Sequence, residues 1–494
     1  MNSTEVSTAE VRTSTGELRG VSDGTIRVFK GVPYAQPPVG ELRFAAPRPP
    51  RPWSGVREAT GFAARPPQTD MRPKGKVIGS EDCLYLNVYA PAGPGPYPVM
   101  VWLHGGGGVV GGPHDYDCTA FARSGVVSVT VGYRLGALGL MYLPGVFEES
   151  AHTNFAFLDQ IEALRWVREN ISAFGGDPGR VGVMGESNGA RAVGTLLAMP
   201  AAQGLFGQAV LQSGGYVLNE PDRAWEFTDA LLTELGLDRT KAYELRTTPV
   251  EELVRAQGRV VATAGVMAPL RAVVDGDTVP QQPLAALASG SAAGVRVLAG
   301  SNHDEQELFD AMPERLVRVV GSGLIGVAPA ELKRLRDGYR QLYPAADAAE
   351  LEQMLITAGN WRLPAIRLAE AQAAAGGEVW SYRLDWRVAP KGQGLGAPHG
   401  LDLGFVFDRA ADPTAPLSYF SGVSRADPQR IRAITAAMHT SWARFLHGSP
   451  PETPALPPWP RYEAARRATM LFDDTCTVAE DPDRAERLLW EASV

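Results

Sequence analysis

The segment Arg180-Val181-Gly182-Val183-Met184-Gly185-Glu186-Ser187-Asn188-Gly189-Ala190 is the most informative part of this chain. Its first five residues form a short run rich in Val, which is typical of a buried strand. A helix-compatible run begins at Ala190 and extends to Met199, and the pattern Gly-x-Ser-x-Gly lies between the two. A strand, a sharp turn with a serine and a helix in direct succession predict a nucleophile elbow, with Ser187 as the nucleophile. A serine in an ordinary turn is the alternative.

Other segments with the pattern of buried strands lie on both sides of this elbow. They are short, rich in Val and aromatic residues, and lie at Leu84–Tyr89, Val99–Leu103, Val126–Val131, Val295–Ala299 and Val379–Leu384. Between the third strand and the elbow, Leu158–Ile171 has apolar residues at helical spacing. Strands that alternate with helices predict an α/β fold with a large, mostly parallel central sheet and helices on both faces.

Beyond about residue 220 the pattern becomes mostly helical. The candidate helices are Arg223–Leu237, Val250–Gln257, Glu331–Leu342, Ala349–Thr357 and a long amphipathic one at Arg430–Leu446. Clusters of Gly and Pro precede strand-like segments, so we interpret them as turns and not as linkers. We therefore expect one catalytic domain over residues 1–494, with a helical insertion at approximately 220–375 that forms part of the pocket.

Composition and charge narrow the range of partners. The chain has 494 residues, is 45% hydrophobic and carries a net charge of −8, with Lys and Arg scattered along it. Such a chain buries a large core and lacks the basic patch that nucleic acids require. The N-terminus has no signal-like pattern, and no apolar run reaches the roughly 18 residues of a membrane span. Three cysteines fit a reducing compartment. We expect a cytoplasmic monomer or small homo-oligomer that acts on a small molecule.

A glycine run supplies the second chemical element. His104-Gly105-Gly106-Gly107-Gly108 directly follows the strand-like Val99–Leu103. Successive glycines leave backbone N–H groups accessible and allow unusual dihedral angles. A flexible turn is the alternative, but together with the elbow this loop is a candidate oxyanion hole. The expected donors are the amides of Gly106, Gly107 and Asn188.

Ordered signatures along nearly the whole chain are similar to those of a known family. They lie at Phe29–Gly40, Leu42–Phe44, Glu81–Val88, Phe174–Pro178, Leu205–Phe206, Leu211–Gly214 and Trp459–Tyr462. The chain resembles the type-B carboxylesterase and cholinesterase-like family of α/β-hydrolases, and in particular its bacterial para-nitrobenzyl-esterase-like members. The resemblance implies the α/β-hydrolase fold and carboxylic ester hydrolysis through an acyl-enzyme intermediate, without cofactor or metal.

The resemblance also assigns a Ser-His-Glu triad. The acid would be Glu305, which follows the strand-like Val295–Ala299 and would orient the base and stabilise its imidazolium. Asp304 and Glu307 are neighbouring rivals, and a solvated acidic loop is a further alternative.

The base would be His399, in a Gly-rich loop. It follows Glu305, as the order Ser, acid, His of α/β-hydrolases requires. The competing histidines are His104, His114, His152, His303, His439 and His447. Of these, only the last two also follow the acid, and they lie in or at the end of a predicted helix.

Several positions depart from the family pattern. Asn188 replaces a common Ala, and we expect a polar side chain at the rim of the site. Gly108 replaces an aromatic residue, which predicts a roomier or more mobile site. Gln306 replaces the Gly after the acid. Pro66 takes the place of the cysteine that pairs with the Cys83 position in secreted relatives, so that disulfide cannot form here.

The sequence favours a hydrolase of small to medium apolar carboxylic esters. A biosynthetic thioesterase, a carbamate hydrolase or an acyltransferase would use the same triad, and Asn188 and Gly108 keep that alternative open. A non-catalytic binding protein is a third alternative, because the family includes adhesion proteins without the nucleophile. The presence of Ser187, Glu305 and His399 argues against it.

Overall fold

A computed structural model describes residues 7–72, 75–147, 153–389, 394–415 and 422–492. Its strands are β1 Ser7–Arg12, β2 Glu17–Ser22, β3 Ile26–Pro33, β4 Val56–Glu58, β5 Gln68–Thr69, β6 Val77–Ile78, β7 Tyr85–Pro91, β8 Tyr97–Leu103, β9 Val127–Val131, β10 Gly176–Glu186, β11 Gln208–Gln212, β12 Arg296–Asn302, β13 Val379–Leu384, β14 Ala468–Phe472 and β15 Thr477–Glu480.

The α-helices in the described ranges follow the same chain order. They are α1 Thr119–Arg123, α2 Gly136–Leu140, α3 Phe155–Asn170, α4 Asn188–Leu196, α5 Pro221–Glu234, α6 Val250–Thr263, α7 Pro283–Ala288, α8 Glu307–Ala311, α9 Glu314–Val320, α10 Pro329–Leu342, α11 Ala348–Thr357, α12 Leu363–Ala374, α13 Leu401–Val406, α14 Pro428–Leu446 and α15 Arg484–Glu491. A π-helical turn, Ala358–Arg362, joins α11 to α12. Among the described residues, no helix has both the length and the apolarity needed to cross a bilayer.

One wide sheet organises the described chain. Its strand order is β1-β2-β3-β7-β9-β8-β10-β11-β12-β13-β14-β15, with β4 beside β2, and β5 and β6 form a separate hairpin. The pairs from β9 to β14 are parallel. The strand pairs on both flanks of the sheet are antiparallel, apart from the parallel pair of β2 with β4. The predicted fold class, a mostly parallel central sheet with helices, is confirmed.

Side chains from the central strands are buried on both faces of the sheet. Along β8, Val101 and Leu103 belong to one apolar cluster, and Met100 and Trp102 belong to the other. This alternation follows because successive residues of a strand point to opposite faces. Helices α3, α4 and α12 contribute to the first cluster, and α1 and α14 contribute to the second.

The strands predicted from the sequence have counterparts within a few residues, and the most consequential difference is at β12. This strand continues to Asn302 instead of ending at Ala299, because it pairs with β13 as far as Leu384. The extension carries the chain to the sheet edge where β8 and β10 also end. Carboxyl ends of parallel strands form the binding edge of open α/β sheets.

Candidate active site

Ser187 occupies the turn between β10 and α4. Its backbone has φ 58° and ψ −121°, a conformation that non-glycine residues rarely adopt. The flanking glycines are required by close packing: a Cβ on Gly189 would lie 2.0 Å from the carbonyl oxygen of Leu103, and one on Gly185 would lie 2.5 Å from the carbonyl carbon of Gly189. The tight strand–turn–helix crossing therefore holds the serine at the end of β10.

His399 and Glu305 form a buried pair next to this turn. The Nδ1 atom of His399 lies 2.5 Å from Oε2 of Glu305, and the second oxygen of Glu305 accepts a hydrogen bond from the Asn302 amide at 2.7 Å. Glu305 has no exposed surface, and His399 is 6% exposed. The end of β12 thus fixes the carboxylate, and the carboxylate fixes the imidazole ring.

The rival acids bind other groups. Asp304 pairs with His303 and Arg387, and Glu307 accepts a hydrogen bond from the Gly396 amide. Gln306 replaces the expected Gly. Its backbone N–H donates to the Thr357 hydroxyl at 3.2 Å, and Glu305 keeps its contact with His399.

The rival histidines also have other partners. His104 is buried against Tyr133 with ring centroids 4.4 Å apart, and burial lowers its pKa to about 4. His114 contacts the Ala63 carbonyl, and His439 and His447 contact Ser124. His152 lies outside the described residues.

Sequence reasoning missed the role of Glu186. Its Oε1 lies 3.1 Å from Nε2 of His399, the ring nitrogen that is predicted to exchange a proton with Ser187. In the described ranges no hydrogen bond joins the Ser187 hydroxyl to His399. Such bonds are often loose or misaligned before substrate binds. The available signal was an acidic residue directly before the serine.

The charges of this cluster are coupled. Burial raises the pKa of Glu186, and the adjacent imidazole of His399 opposes that shift. Burial alone would lower the pKa of His399, but Glu186 and Glu305 raise it to about 9. A third carboxyl group, Asp402, has its pKa raised by burial and accepts a hydrogen bond from Gln212 at 2.8 Å. The resting site therefore favours a protonated, tightly held imidazole.

Aromatic rings enclose the imidazole. The ring centroids of Phe309 and Trp361 lie 5.3 and 5.1 Å from that of His399. Trp361 belongs to the π-helical turn Ala358–Arg362, a feature that often marks functional sites and that has no periodic sequence signature.

The glycine loop meets the elbow from the end of β8. A Cβ on Gly105 would lie 3.1 Å from the Cβ of Ser187, and Gly106 and Gly107 have φ 111° and 63°. The amides of Gly106 and Gly107 donate no hydrogen bond within the described part of the chain. Asn188 is the first residue of α4, where an amide has no partner inside the helix. These three amides remain the predicted donors of an oxyanion hole.

The two departures at Asn188 and Gly108 lie against each other. The Asn188 side chain is buried, and a Cβ on Gly108 would lie 3.5 Å from both of its terminal atoms. The expectation of a polar group at the rim was therefore wrong, because Asn188 packs inward on the space next to Gly108 and not into the cavity.

Ser187, His399 and the glycine loop share one cavity of about 430 Å³. Its apolar walls include Met71, Val110, Leu308, Phe309, Met312 and Phe407. One further lining residue, Arg191, carries a charge and was also missed from the sequence. No group of three His, Cys, Asp or Glu side chains in the described ranges is arranged to hold a metal ion.

A serine on a sharp strand–helix turn that shares a cavity with a carboxylate-bound histidine is the arrangement of α/β-type serine hydrolases. Comparison with known proteins makes this more specific. The model of the Carboxylesterase family matches residues 7–490. The chain is 35% identical to the para-nitrobenzyl esterase of Bacillus subtilis (strain 168), over 97% of both chains.

Other relatives agree. The fumonisin B1 esterase of Sphingopyxis macrogoltabida is 34% identical over 91% of this chain and 84% of that protein. The solved structure of a thermophilic PNB esterase superposes with a TM-score of 0.86 at 33% identity, over 97% of this chain and 99% of that one. The chain therefore belongs to the carboxylesterase family and is a carboxylic ester hydrolase, as the resemblance predicted.

Proposed function

We propose that this enzyme hydrolyses small to medium, mainly apolar carboxylic esters through an acyl-enzyme intermediate on Ser187. The observation that carries the proposal is the buried His399–Glu305 pair, with 2.5 Å between Nδ1 and Oε2, at the wall of the cavity that also exposes Ser187. A carboxylate on Nδ1 leaves Nε2 as the nitrogen that exchanges a proton with the serine.

The reaction begins in the form of the enzyme whose His399 has lost its extra proton: the neutral ring leaves Glu186, and its Nε2 accepts the Ser187 proton. The serine oxygen then bonds to the ester carbonyl carbon, and the Gly106, Gly107 and Asn188 amides stabilise the oxyanion. Collapse of this intermediate breaks the ester bond, and His399 donates the proton to the leaving alcohol. Water repeats the sequence on the acyl-enzyme and releases the acid.

The cavity supports the size and polarity of the substrate. A volume of about 430 Å³ is in the range of small-molecule pockets, and the walls are largely apolar. The thioesterase, carbamate hydrolase and acyltransferase alternatives stay predictions. Release of free acid in the presence of an added amine or alcohol would argue against transfer.

The direct test is turnover of 4-nitrophenyl acetate and butyrate by wild type and by Ser187→Ala. Loss of the nucleophile should lower kcat by roughly 10⁶-fold with an unchanged circular dichroism spectrum. Labelling by a fluorophosphonate should be confined to Ser187. A variant that retains turnover, or label on another residue, would overturn the assignment.

A further inference from the structure

Arg191 is a buried cation that has no hydrogen-bond or ion-pair partner among the described residues. It lies on α4 one helical turn after the nucleophile, where its amide donates to the Ser187 carbonyl at 3.0 Å. The residue lines the cavity and is 7% exposed. Its guanidinium makes no hydrogen bond or ion pair with any residue that the structure describes. Buried arginines are almost always paired, because an unpaired charge in a protein interior is costly.

The other charged side chains of the cavity wall are all engaged. Asp115 pairs with Arg65 at 2.7 Å, and Asp117 pairs with Arg409 at 2.7 Å. Glu186 lies against His399, as described above. Within the described lining, Arg191 is therefore the charged side chain that has no hydrogen-bond or ion-pair partner.

A second buried arginine adds to the positive potential. Arg271 is 9% exposed, its Nη2 donates to the Met267 carbonyl at 2.7 Å, and its Nε has no partner in the described chain. Burial lowers the pKa of Arg191 to about 10, opposed by Glu186. Burial, and then repulsion from Arg191, lowers the pKa of Arg271 to about 9. Both stay protonated at neutral pH, so this end of the cavity attracts anions.

We infer that the ester hydrolysed in this cavity carries a carboxylate, and that Arg191 binds this carboxylate while Ser187 attacks the ester carbonyl. The inference rests on the proposed function and sharpens it: the body of the substrate is apolar, and one end is anionic. A guanidinium presents two parallel N–H donors that match the two oxygens of a carboxylate.

The helix sets the distance between the two substrate groups. Four residues of α-helix rise about 6 Å, so Arg191 and Ser187 reach groups that lie a few bonds apart. Half-esters of short dicarboxylic acids meet this condition on the acyl side, and esters of hydroxybenzoates meet it on the alcohol side. The cavity has room for one such molecule with an apolar body.

The kinetic experiment compares charged and neutral esters of matched size. In the acyl arm, the charged substrate is mono(4-nitrophenyl) glutarate and the neutral one is 4-nitrophenyl pentanoate. In the alcohol arm, the charged substrate is 4-acetoxybenzoate and the neutral one is its methyl ester. In the arm that matches the physiological substrate, Arg191→Met should lower the charged-to-neutral ratio of kcat/KM by about 10 to 100-fold, mainly through KM. Arg191→Lys should show a ratio between those of Arg191→Met and wild type, because it keeps the positive charge and loses the two parallel N–H donors of the guanidinium.

The matched control is Arg255→Met. Arg255 is more than half exposed, pairs with Glu251 and does not line the cavity, yet its substitution removes the same net charge. It should leave both ratios unchanged. A wild-type enzyme that prefers the neutral ester in both arms, or an Arg191→Met variant that changes neither ratio, would overturn the inference.

A binding measurement separates this inference from the proposed function. Calorimetry on Ser187→Ala should show monomethyl glutarate bound at least tenfold more tightly than methyl pentanoate, which has no carboxylate, and Arg191→Met in that background should remove the difference. If neutral esters are hydrolysed through Ser187 but monomethyl glutarate does not bind, the anion site is wrong and the esterase mechanism stands. If no ester is hydrolysed but monomethyl glutarate binds through Arg191, the mechanism is wrong and the anion site stands.

Discussion

Two buried arginines show how differently the scaffold and the cavity treat the same side chain. Arg134 is 2% exposed, and its guanidinium donates to both oxygens of Asp159, at 2.6 and 2.8 Å, and to the Ala45 carbonyl at 2.8 Å. Burial alone would lower its pKa, but Asp159 raises it. Arg191, with 7% exposure, has no such acceptor in the described chain.

The same contrast extends to the backbone of the two regions. Each guanidinium nitrogen of Arg134 donates a hydrogen bond, whereas the amides of Gly106 and Gly107 and the guanidinium of Arg191 have no acceptor among the described residues. Unsatisfied donors destabilise a fold, so they persist where a ligand completes them. We therefore expect the donors that lack partners to match negative charge on the proposed substrate and on its transition state.

The largest expected effect concerns the buried Arg134–Asp159 pair of the scaffold. Asp159→Ala leaves the Arg134 charge buried and uncompensated, and should lower the free energy of unfolding by about 3–5 kcal/mol. Urea unfolding followed by tryptophan fluorescence measures the change. Asp229→Ala is the control, because the Asp229–Arg239 pair is about half exposed and should contribute far less to the free energy of unfolding. Equal effects of the two variants would contradict the distinction.

A second prediction concerns the charge on the catalytic base. His399 must be neutral to accept a proton, so kcat/KM should rise with pH through its elevated pKa. Glu186→Gln removes a carboxylate from Nε2, lowers the pKa of His399 and should move the acidic limb of the pH profile by about one unit toward lower pH.

The control for this shift is Glu307→Gln. It removes a carboxyl group that accepts from the Gly396 amide and does not contact His399. Its profile should coincide with that of wild type. A Glu186→Gln profile that does not move would show that the 3.1 Å contact has no part in setting the proton affinity of the base.

The smallest expected effect concerns the stability cost of Arg191, the buried arginine at the cavity. Arg191→Met removes an unpaired buried charge and keeps an apolar stem of similar length, so it should raise the free energy of unfolding by about 1 kcal/mol. The same urea titration measures it. A loss as large as that of Asp159→Ala would mean that Arg191 has a structural partner and that the comparison fails.

The sequence predicted the elements that are local in the chain. The strand before Ser187, the glycines around it and the glycine loop after β8 have short-range signals, and the structure shows why those residues are needed. The family resemblance added the pairing of Glu305 with His399, which lie far apart in the chain and meet at 2.5 Å.

The features of the site that the sequence did not predict depend on the direction in which side chains point. The contact of Glu186 with His399 and the isolation of Arg191 arise from which way residues on β10 and α4 point after the sheet has formed. The prediction for Asn188 failed for the same reason, since its side chain turns inward and not to the rim. No periodicity or motif encodes such orientations.

The packing of Asn188 on Gly108 also constrains how this enzyme evolves. A side chain at Gly108 meets Leu140 at 2.9 Å and a backbone with φ 77°, and it grows toward the space that Asn188 occupies. The two positions therefore form one epistatic unit, in which the effect of a substitution at one depends on the residue at the other. A bulky residue at position 108 therefore requires changes at Leu140 and at position 188 as well.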